Sequence, residues 1–331
     1  MYPRHNLQQL QPKLLSLHLR VNHDVLDVSH ESSSTKELAL DHDRCLPHKP
    51  VRLVLDNHDR QLGRHQSSVE EVLSSLGGHL EVCSSFNLMT ALTYSPSRPD
   101  EPFSLLNRHL ARLRDAHAAF ARELPDCWCA STSMPDDAAM RKELERAVEE
   151  AKASGKEGDL RIRLSILPTG QPHAECFPLT PMPSYPVRLV LDDRPTEYGE
   201  PFLRYKTSQR EVYDEARRRQ GATLHPSPDP SDPPFDVLLF NSSRQLTETT
   251  ISNVAFRLSD HAKDAYITPS TECGLLEGVM RAELLEKGEI KEGVVTIDDL
   301  REAAQRETLE IICFNGVRGV FPAYIAPEDL Q

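Results

Sequence analysis

Apolar residues recur at helical spacing in the first half of the chain. Residues 105–122 carry their large side chains every three or four positions, at Leu106, Leu110, Leu113, His117 and Phe120. This period predicts an amphipathic helix whose apolar side faces a core. Residues 136–154 are highly charged, with acidic residues early and Lys152 late. Because the helix dipole favours this order of charges, we predict a second helix there.

Other stretches alternate apolar and polar residues, as half-buried strands do. Residues 161–167 read RIRLSIL, and a Pro-Thr-Gly-Gln turn separates them from a possible return strand at 173–177. This pair predicts a β-hairpin. Residues 86–94, FNLMTALTY, are a further strand candidate that ends at a Ser-Pro step.

A proline-rich segment divides the globular part of the chain. Residues 179–186, LTPMPSYP, contain three prolines, which lack the backbone donor that helices and sheets use. We therefore predict a linker here, between a smaller lobe at 81–178 and a larger lobe at 187–331. Further elements are predicted in the larger lobe: strands at 187–191, 236–241, 252–258, 311–315 and 320–323, and helices at 208–220 and 277–285. Because strands and helices do not alternate regularly, the expected class is α+β.

The first 80 residues have a different character. They are polar and rich in scattered histidines, and they predict a poorly ordered or atypical extension. The heptapeptide PVRLVLD occurs at 50–56 and again at 186–192. Both copies predict a short strand and a turn, and the meaning of the repeat stays open.

Charge and cysteine content narrow the class of partner. The net charge of −13 gives no general attraction for nucleic acid or an anionic membrane. No apolar run approaches the ~20 residues of a spanning helix, and the N-terminus lacks a secretory signal. The seven cysteines have no zinc or redox spacing, so we expect reduced thiols and no metal site. A cytoplasmic location is expected, and an organelle stays open.

Five segments carry the chemistry and fall in one order along the chain: NRHLARL at 107–113, FLRYKTSQREVYD at 202–214, DVLLFNSSRQLTETTISN at 236–253, TPSTECGLLEGVMR at 268–281 and FNGVRGVFP at 314–322. Together they resemble the fold-type IV, or class IV, aminotransferases, and within these most resemble 4-amino-4-deoxychorismate lyases. The resemblance implies a two-lobed, D-amino acid aminotransferase-like fold with pyridoxal 5′-phosphate (PLP) in the cleft between the lobes. It also implies a homodimer and a small-molecule substrate.

Lys206 is the candidate for covalent attachment of the cofactor. A lysine that forms a Schiff base must be neutral when it attacks, and nearby cations or burial favour the neutral form. Arg204 and Arg210 flank this lysine in the sequence. The K-T-[ST]-x-R-x-x-Y-D pattern resembles the family's cofactor-lysine segment, which implies that Lys206 is also the acid–base catalyst.

Three further segments resemble the family's cofactor contacts. Glu248, in a frame closed by Asn253, resembles the glutamate whose charge keeps the pyridine nitrogen protonated, and we take both residues as cofactor-binding. Val279 and Met280 lie at a predicted helix start, where free backbone N–H groups suit a phosphate. Arg112 matches the H-x-x-R-L arginine that reaches the phosphate. Arg281, by contrast, is expected to be structural.

Asn315 and Arg318 are weaker candidates for contact with the substrate. They resemble the N-[SA]-[VL]-R-G segment of the lyase-like branch, and an arginine there suits a dicarboxylate. The family strand F-E-T-[LM]-R is replaced by Met89-Thr90-Ala91-Leu92-Thr93, which lacks the acidic residue and the arginine.

The leading hypothesis is therefore a PLP-dependent lyase that releases pyruvate and 4-aminobenzoate from aminodeoxychorismate, in folate biosynthesis. One alternative is a class IV transaminase acting on D- or branched-chain amino acids, which shares the cofactor machinery. A second alternative is a non-catalytic relative, which the altered first-lobe strand and the atypical extension suggest.

Overall fold

The computed structural model describes residues 17–21, 24–28, 86–196, 199, 201–259 and 265–330. The chain divides into two compact units, Met1–Ser84 and Ser85–Gln331. In the first unit, strands β1 (Leu17–Val21) and β2 (Asp24–Val28) form an antiparallel pair. The first copy of the heptapeptide and most of the predicted extension lie outside the described residues. In the described part of the chain, no helix is both long and apolar enough to cross a membrane.

A three-stranded antiparallel sheet opens the second unit, with β4 in the middle. Its elements are β3 (Leu88–Tyr94), α1 (Leu106–Glu123), α2 (Trp128–Ser131), α3 (Asp137–Ala153), β4 (Leu160–Ile166) and β5 (Pro172–Pro178). Leu160, Ile162 and Leu164 alternate with exposed arginines along β4, so one face of the sheet is apolar. That face shares one buried core with the apolar sides of α1 and α3. The predicted helices and hairpin are confirmed, with ends shifted by one or two residues.

A mixed sheet of eight strands forms the rest of the unit, in the order β11-β10-β9-β12-β13-β6-β7-β8. Its strands are β6 (Val187–Leu191), β7 (Asp236–Phe240), β8 (Leu246–Thr249), β9 (Asn253–Arg257), β10 (Tyr266–Pro269), β11 (Ile290–Gly293), β12 (Glu310–Asn315) and β13 (Gly319–Ile325). Its helices are α4 (Glu211–Gln220), α5 (Val279–Glu286) and α6 (Ile297–Gln305). Parallel and antiparallel neighbours occur together, which confirms the α+β class.

Some elements differ from the prediction. The helix predicted from residue 208 begins at Glu211, because residues 206–208 pair with the first sheet instead. Strands β1, β2, β8, β10 and β11 and helices α2 and α6 were not predicted. Strands β8, β10 and β11 have only four residues each, too few for a clear alternation. The proline-rich segment 179–186 has no regular structure.

Aromatic packing and the ion pairs of Arg108 join the parts of the chain that contain the two sheets. Phe202, which precedes the predicted cofactor lysine, lies with its ring centroid 5.2 Å from that of Phe86 and 4.9 Å from that of Phe120. Arg108 on α1 donates from Nε to Glu283 on α5 over 2.8 Å. The segment before residue 206 is therefore held by the core of the first sheet.

Phe202→Ala should lower the free energy of unfolding by about 3 kcal/mol or more, because it removes a buried ring and leaves a cavity between two other rings. The measurement is the urea midpoint, with Leu224→Ala as control, since Leu224 is 45% exposed and Phe202 only 8%. Equal midpoints for the two variants would contradict this role.

Candidate active site

Lys206 lies in an irregular segment that pairs with the edge of the first sheet. Its carbonyl accepts from the Met89 N–H over 2.8 Å, and the Ser208 N–H donates to the Asn87 carbonyl over 2.9 Å. Thr207, between them, bridges to Leu88 in antiparallel fashion. The backbone of the lysine is therefore fixed by β3, five residues before α4 begins.

The surroundings of Lys206 favour its neutral form. Burial is the main cause that lowers the pKa of Lys206 from 10.5 to about 7, and the positive charges of Arg210 and Arg112 add to it. The carboxylate of Glu248 acts in the opposite direction. A large fraction of this amine is thus unprotonated near neutral pH, which is what a lysine nucleophile or base requires.

Glu248 lies on β8 with only 4% of its surface exposed. Its Oε1 accepts from the Tyr213 hydroxyl over 2.9 Å and from the Leu276 N–H over 3.1 Å, while its Oε2 accepts from the Asn253 amide over 3.3 Å. Burial raises the pKa of Glu248 to about 7, although the bonds from Leu276 and Tyr213 favour the ionised form. The side chain is therefore a fixed, buried carboxyl group close enough to Lys206 to act on it electrostatically.

Arg112 is a half-buried cation without a bonded carboxylate among the described residues. Its Nη2 donates to the Thr90 hydroxyl over 2.7 Å, and its Nε has no hydrogen-bond partner within the described part of the chain. Burial lowers the pKa of Arg112 to about 10. Because burying an unpaired charge is costly, this arrangement suits an anionic ligand.

The start of α5 approaches the same region. Gly278 is the residue before the helix, and Val279 and Met280 follow in its first turn, where backbone N–H groups lack partners within the helix. A Cβ at Gly278 would lie 1.9 Å from Oδ1 of Asn253, so only glycine fits. The Asn253 amide also donates to the Leu276 carbonyl over 2.8 Å. Asn253 therefore holds both Glu248 and the loop before α5.

Arg281 is the third residue of this helix. Its Nη2 donates to the Pro269 carbonyl and to Glu292, each over 2.7 Å. These bonds tie α5 to β10 and β11, as expected for a structural arginine.

The turn between β12 and β13 borders the first sheet. Oδ1 of Asn315 accepts from the N–H groups of Val317 and Arg318 over 3.0 and 2.8 Å, and its Nδ2 donates to the Ser252 hydroxyl over 3.0 Å. The Thr93 hydroxyl donates to the Val317 carbonyl over 2.9 Å. Asn315 thus shapes the turn that carries Arg318.

Arg318 stacks its guanidinium 5.2 Å from the centre of the Phe235 ring. Its Nη1 is buried and has no hydrogen-bond partner in the described part of the chain. Burial lowers the pKa of Arg318, and the charge of Asp236 opposes this effect.

The structure brings most predicted residues together but adds contacts that the sequence did not indicate. Lys206 is coupled electrostatically to both Arg112 and Glu248. Tyr213 and Thr90, which bond directly to Glu248 and Arg112, had no predicted role. Tyr213 belongs to the pattern quoted for the lysine segment, so its position seven residues after Lys206 was a usable signal.

Comparisons with known proteins identify the family of the chain. The sequence model of the family described as amino-transferase class IV matches residues 88–324. A Schizosaccharomyces pombe protein provisionally named an aminodeoxychorismate lyase is 31% identical over 225 residues, covering 67% of this chain and 84% of that protein.

Solved structures show the same fold. A Mesorhizobium loti protein provisionally named an amino-acid aminotransferase superposes with a TM-score of 0.56 at 28% identity, covering 73% of this chain and 100% of that one. A Legionella pneumophila protein provisionally named a 4-amino-4-deoxychorismate lyase has a TM-score of 0.53 at 18% identity, covering 72% and 82%. The predicted fold is thereby confirmed.

Lys206 should react with an amine reagent at a lower pH than the other lysines do. Because its pKa is about 7, its acetylation rate should stop rising above about pH 8. The acetylation rate of Lys287, whose pKa is raised by Glu283, should continue to rise to a higher pH than that of Lys206. Competitive labelling with acetic anhydride, followed by peptide mass spectrometry, measures both profiles. Parallel profiles would show that Lys206 is an ordinary surface amine.

Proposed function

Because the chain belongs to the class IV aminotransferase family, we propose that it is a PLP-dependent lyase that converts 4-amino-4-deoxychorismate into pyruvate and 4-aminobenzoate. The observation that carries this proposal is the grouping of a largely neutral lysine, a buried carboxyl group and an unneutralised arginine. The reaction type follows the name of the Schizosaccharomyces pombe relative.

The residues present suit PLP. Arg112 lacks an anionic partner among the described residues and, with the N–H groups of Val279 and Met280, would hold the phosphate. Glu248 would face the pyridine nitrogen, and Lys206 would hold the aldehyde carbon covalently. Asn253 would act behind Glu248, which it binds.

PLP, when bound, supplies an electron sink for charge that develops at the substrate carbon next to the amine. Once the substrate amine has replaced it on the cofactor, Lys206, neutral above about pH 7, can take the proton from that carbon at Nζ and can give it to the departing pyruvate group. Glu248, held by Tyr213 and the Leu276 N–H, provides the negative charge that keeps a proton on a heterocyclic nitrogen beside it. The β3 pairing keeps the lysine backbone still, so that Nζ stays within reach of the reacting carbon.

Arg318 is the candidate for the substrate's carboxylate groups. Its buried Nη1 has no partner in the described residues, and an anion would satisfy it. Asn315 would contribute by shaping the turn, since its oxygen and its amide are used within the chain. As in the family it resembles, we expect the enzyme to work as a homodimer in the cytoplasm.

A transaminase is the second candidate, and the 28% identical Mesorhizobium loti protein favours it. Both reactions would use Lys206 and Glu248. They differ in product, because only transamination requires a 2-oxo acid acceptor. Turnover of D- or branched-chain amino acids with 2-oxoglutarate, without 4-aminobenzoate release from aminodeoxychorismate, would replace the lyase proposal.

The purified protein should be yellow and should lose its visible band on treatment with borohydride. Lys206→Ala should lack this covalent band, because the substitution removes the amine that would bind the aldehyde carbon. Lys287→Ala is the control and should keep the band. The readouts are the absorption spectrum and peptide mapping of the reduced adduct. A colourless protein that takes up no added PLP would refute both enzyme proposals.

Glu248→Gln should lower kcat for 4-aminobenzoate release by about 100-fold or more, because it removes the negative charge but keeps the shape. PLP should remain bound, since Lys206 and Arg112 are unchanged. Glu289→Gln, an exposed site, serves as control. An unchanged kcat in Glu248→Gln would remove Glu248 from the proposed mechanism.

A further inference from the structure

Thr90 connects a buried and a half-buried side chain, those of His109 and Arg112, which lie about one turn apart on α1. Its hydroxyl lies 2.6 Å from Nδ1 of His109 and 2.7 Å from Nη2 of Arg112. Thr90 and His109 are both fully buried. Their contact joins β3 to α1 across the core of the first sheet, next to the cation that lacks an anionic partner.

One arrangement of donors and acceptors gives the proton of the Thr90 hydroxyl a partner. A guanidinium nitrogen can only donate, so the Thr90 oxygen accepts from Arg112. Burial and the charge of Arg112 lower the pKa of His109 far below its ordinary value, so the imidazole is neutral. In this arrangement the single Thr90 proton points to Nδ1 of His109, and the imidazole carries its own proton on Nε2, which has no hydrogen-bond partner among the described residues.

The other side of His109 faces the turn after β12 and the start of α5. A Cβ at Gly316 would lie 2.7 Å from Cε1 and 3.0 Å from Nε2 of His109, and 2.9 Å from Cγ2 of Val279. The imidazole therefore fills the space between β3 and the helix start that would face a phosphate. Its position is fixed from both sides.

We propose that His109 is a positioning residue that, through the Thr90 hydroxyl, orients the Arg112 guanidinium toward a phosphate-bearing ligand at the start of α5. This inference rests on the proposed function, in that the ligand would be PLP. It adds a role for two residues that do not themselves touch the phosphate. Without the His109 acceptor, the Thr90 hydroxyl could rotate. The bond to Thr90, which is the only hydrogen bond of the Arg112 side chain within the described residues, would then lose its fixed direction.

The test compares the dissociation constants of PLP, pyridoxal and inorganic phosphate for the full-length chain. Thr90→Val keeps the shape but removes the hydroxyl, and His109→Leu removes the acceptor. Each should weaken binding of PLP and phosphate about tenfold or more, because each loosens a hydrogen bond to a charged group. Pyridoxal, which has no phosphate, should bind each variant as it binds the original chain.

Conservative variants separate positioning from packing. Thr90→Ser keeps the hydroxyl, and His109→Asn places an acceptor near the position of Nδ1, so both should bind PLP within about threefold of the original chain. Gly316→Ala should weaken PLP binding, because the added Cβ would clash with the side chains of His109 and Val279. Gly199→Ala, where a Cβ meets nothing within 4 Å, should have no effect. Thermal unfolding of each ligand-free variant checks that it folds.

Each outcome decides a separate point. Equal loss of PLP and pyridoxal, or no loss of either, in Thr90→Val and His109→Leu would overturn the positioning role. If the original chain binds phosphate in a Thr90-dependent way but not PLP, the positioning role stands and the proposed function fails. If it binds neither phosphate nor PLP, both fail.

Discussion

The cost of burying ionisable groups governs this structure. Lys206, Glu248 and Arg112 come together where water is largely excluded, and for each of them burial is the largest cause of its pKa shift. A protein retains such groups only when hydrogen bonds or a ligand offset the lost hydration. Within the described residues Glu248 accepts three such bonds, whereas Arg112 makes one, to an uncharged hydroxyl. The charge of Arg112 therefore has no bonded carboxylate among these residues, which suits an anionic cofactor.

That constraint explains why the site is built from distant parts of the chain. The lysine segment is anchored on β3, the carboxyl group on β8, and the arginine on α1. Phe202 and the Arg108–Glu283 pair keep the two sheets together, so that these charges stay at fixed separations. Because electrostatic effects depend strongly on distance and solvent access, small shifts between the sheets would change the protonation of Lys206. Stability and chemistry therefore depend on the same contacts.

Sequence patterns indicated those candidate residues whose amino-acid type alone suits the expected chemistry. Lys206 and Glu248 lie in segments with several matching positions, and the lobes' main helices show a clear period. The pattern could not show that Asn253 contacts Glu248 and the loop before α5, because such contacts depend on how β9 and that loop meet. The Thr90–His109 contact was hidden for the same reason, since it joins a strand to a helix 19 residues away. Helix α6 could have been found, because Thr296 and Asp299 form a capping box.

The shifted groups also determine how the ligand-free protein responds to pH. The pKa of Glu248 is raised from 4.5 to about 7, so the folded state holds an extra proton in that range and stability falls as pH rises through it. The pKa of Lys206 is lowered from 10.5 to about 7, so the unfolded state holds the extra proton above 7 and stability rises again. Together, the two effects make the contribution of this site to the stability of the folded protein smallest near neutral pH. A bound anion that pairs with Arg112, together with a covalent bond at Lys206, would stabilise the folded protein near neutral pH, where the ligand-free site contributes least to stability. The enzyme is expected to work in this pH range, so cofactor binding would be linked to folding.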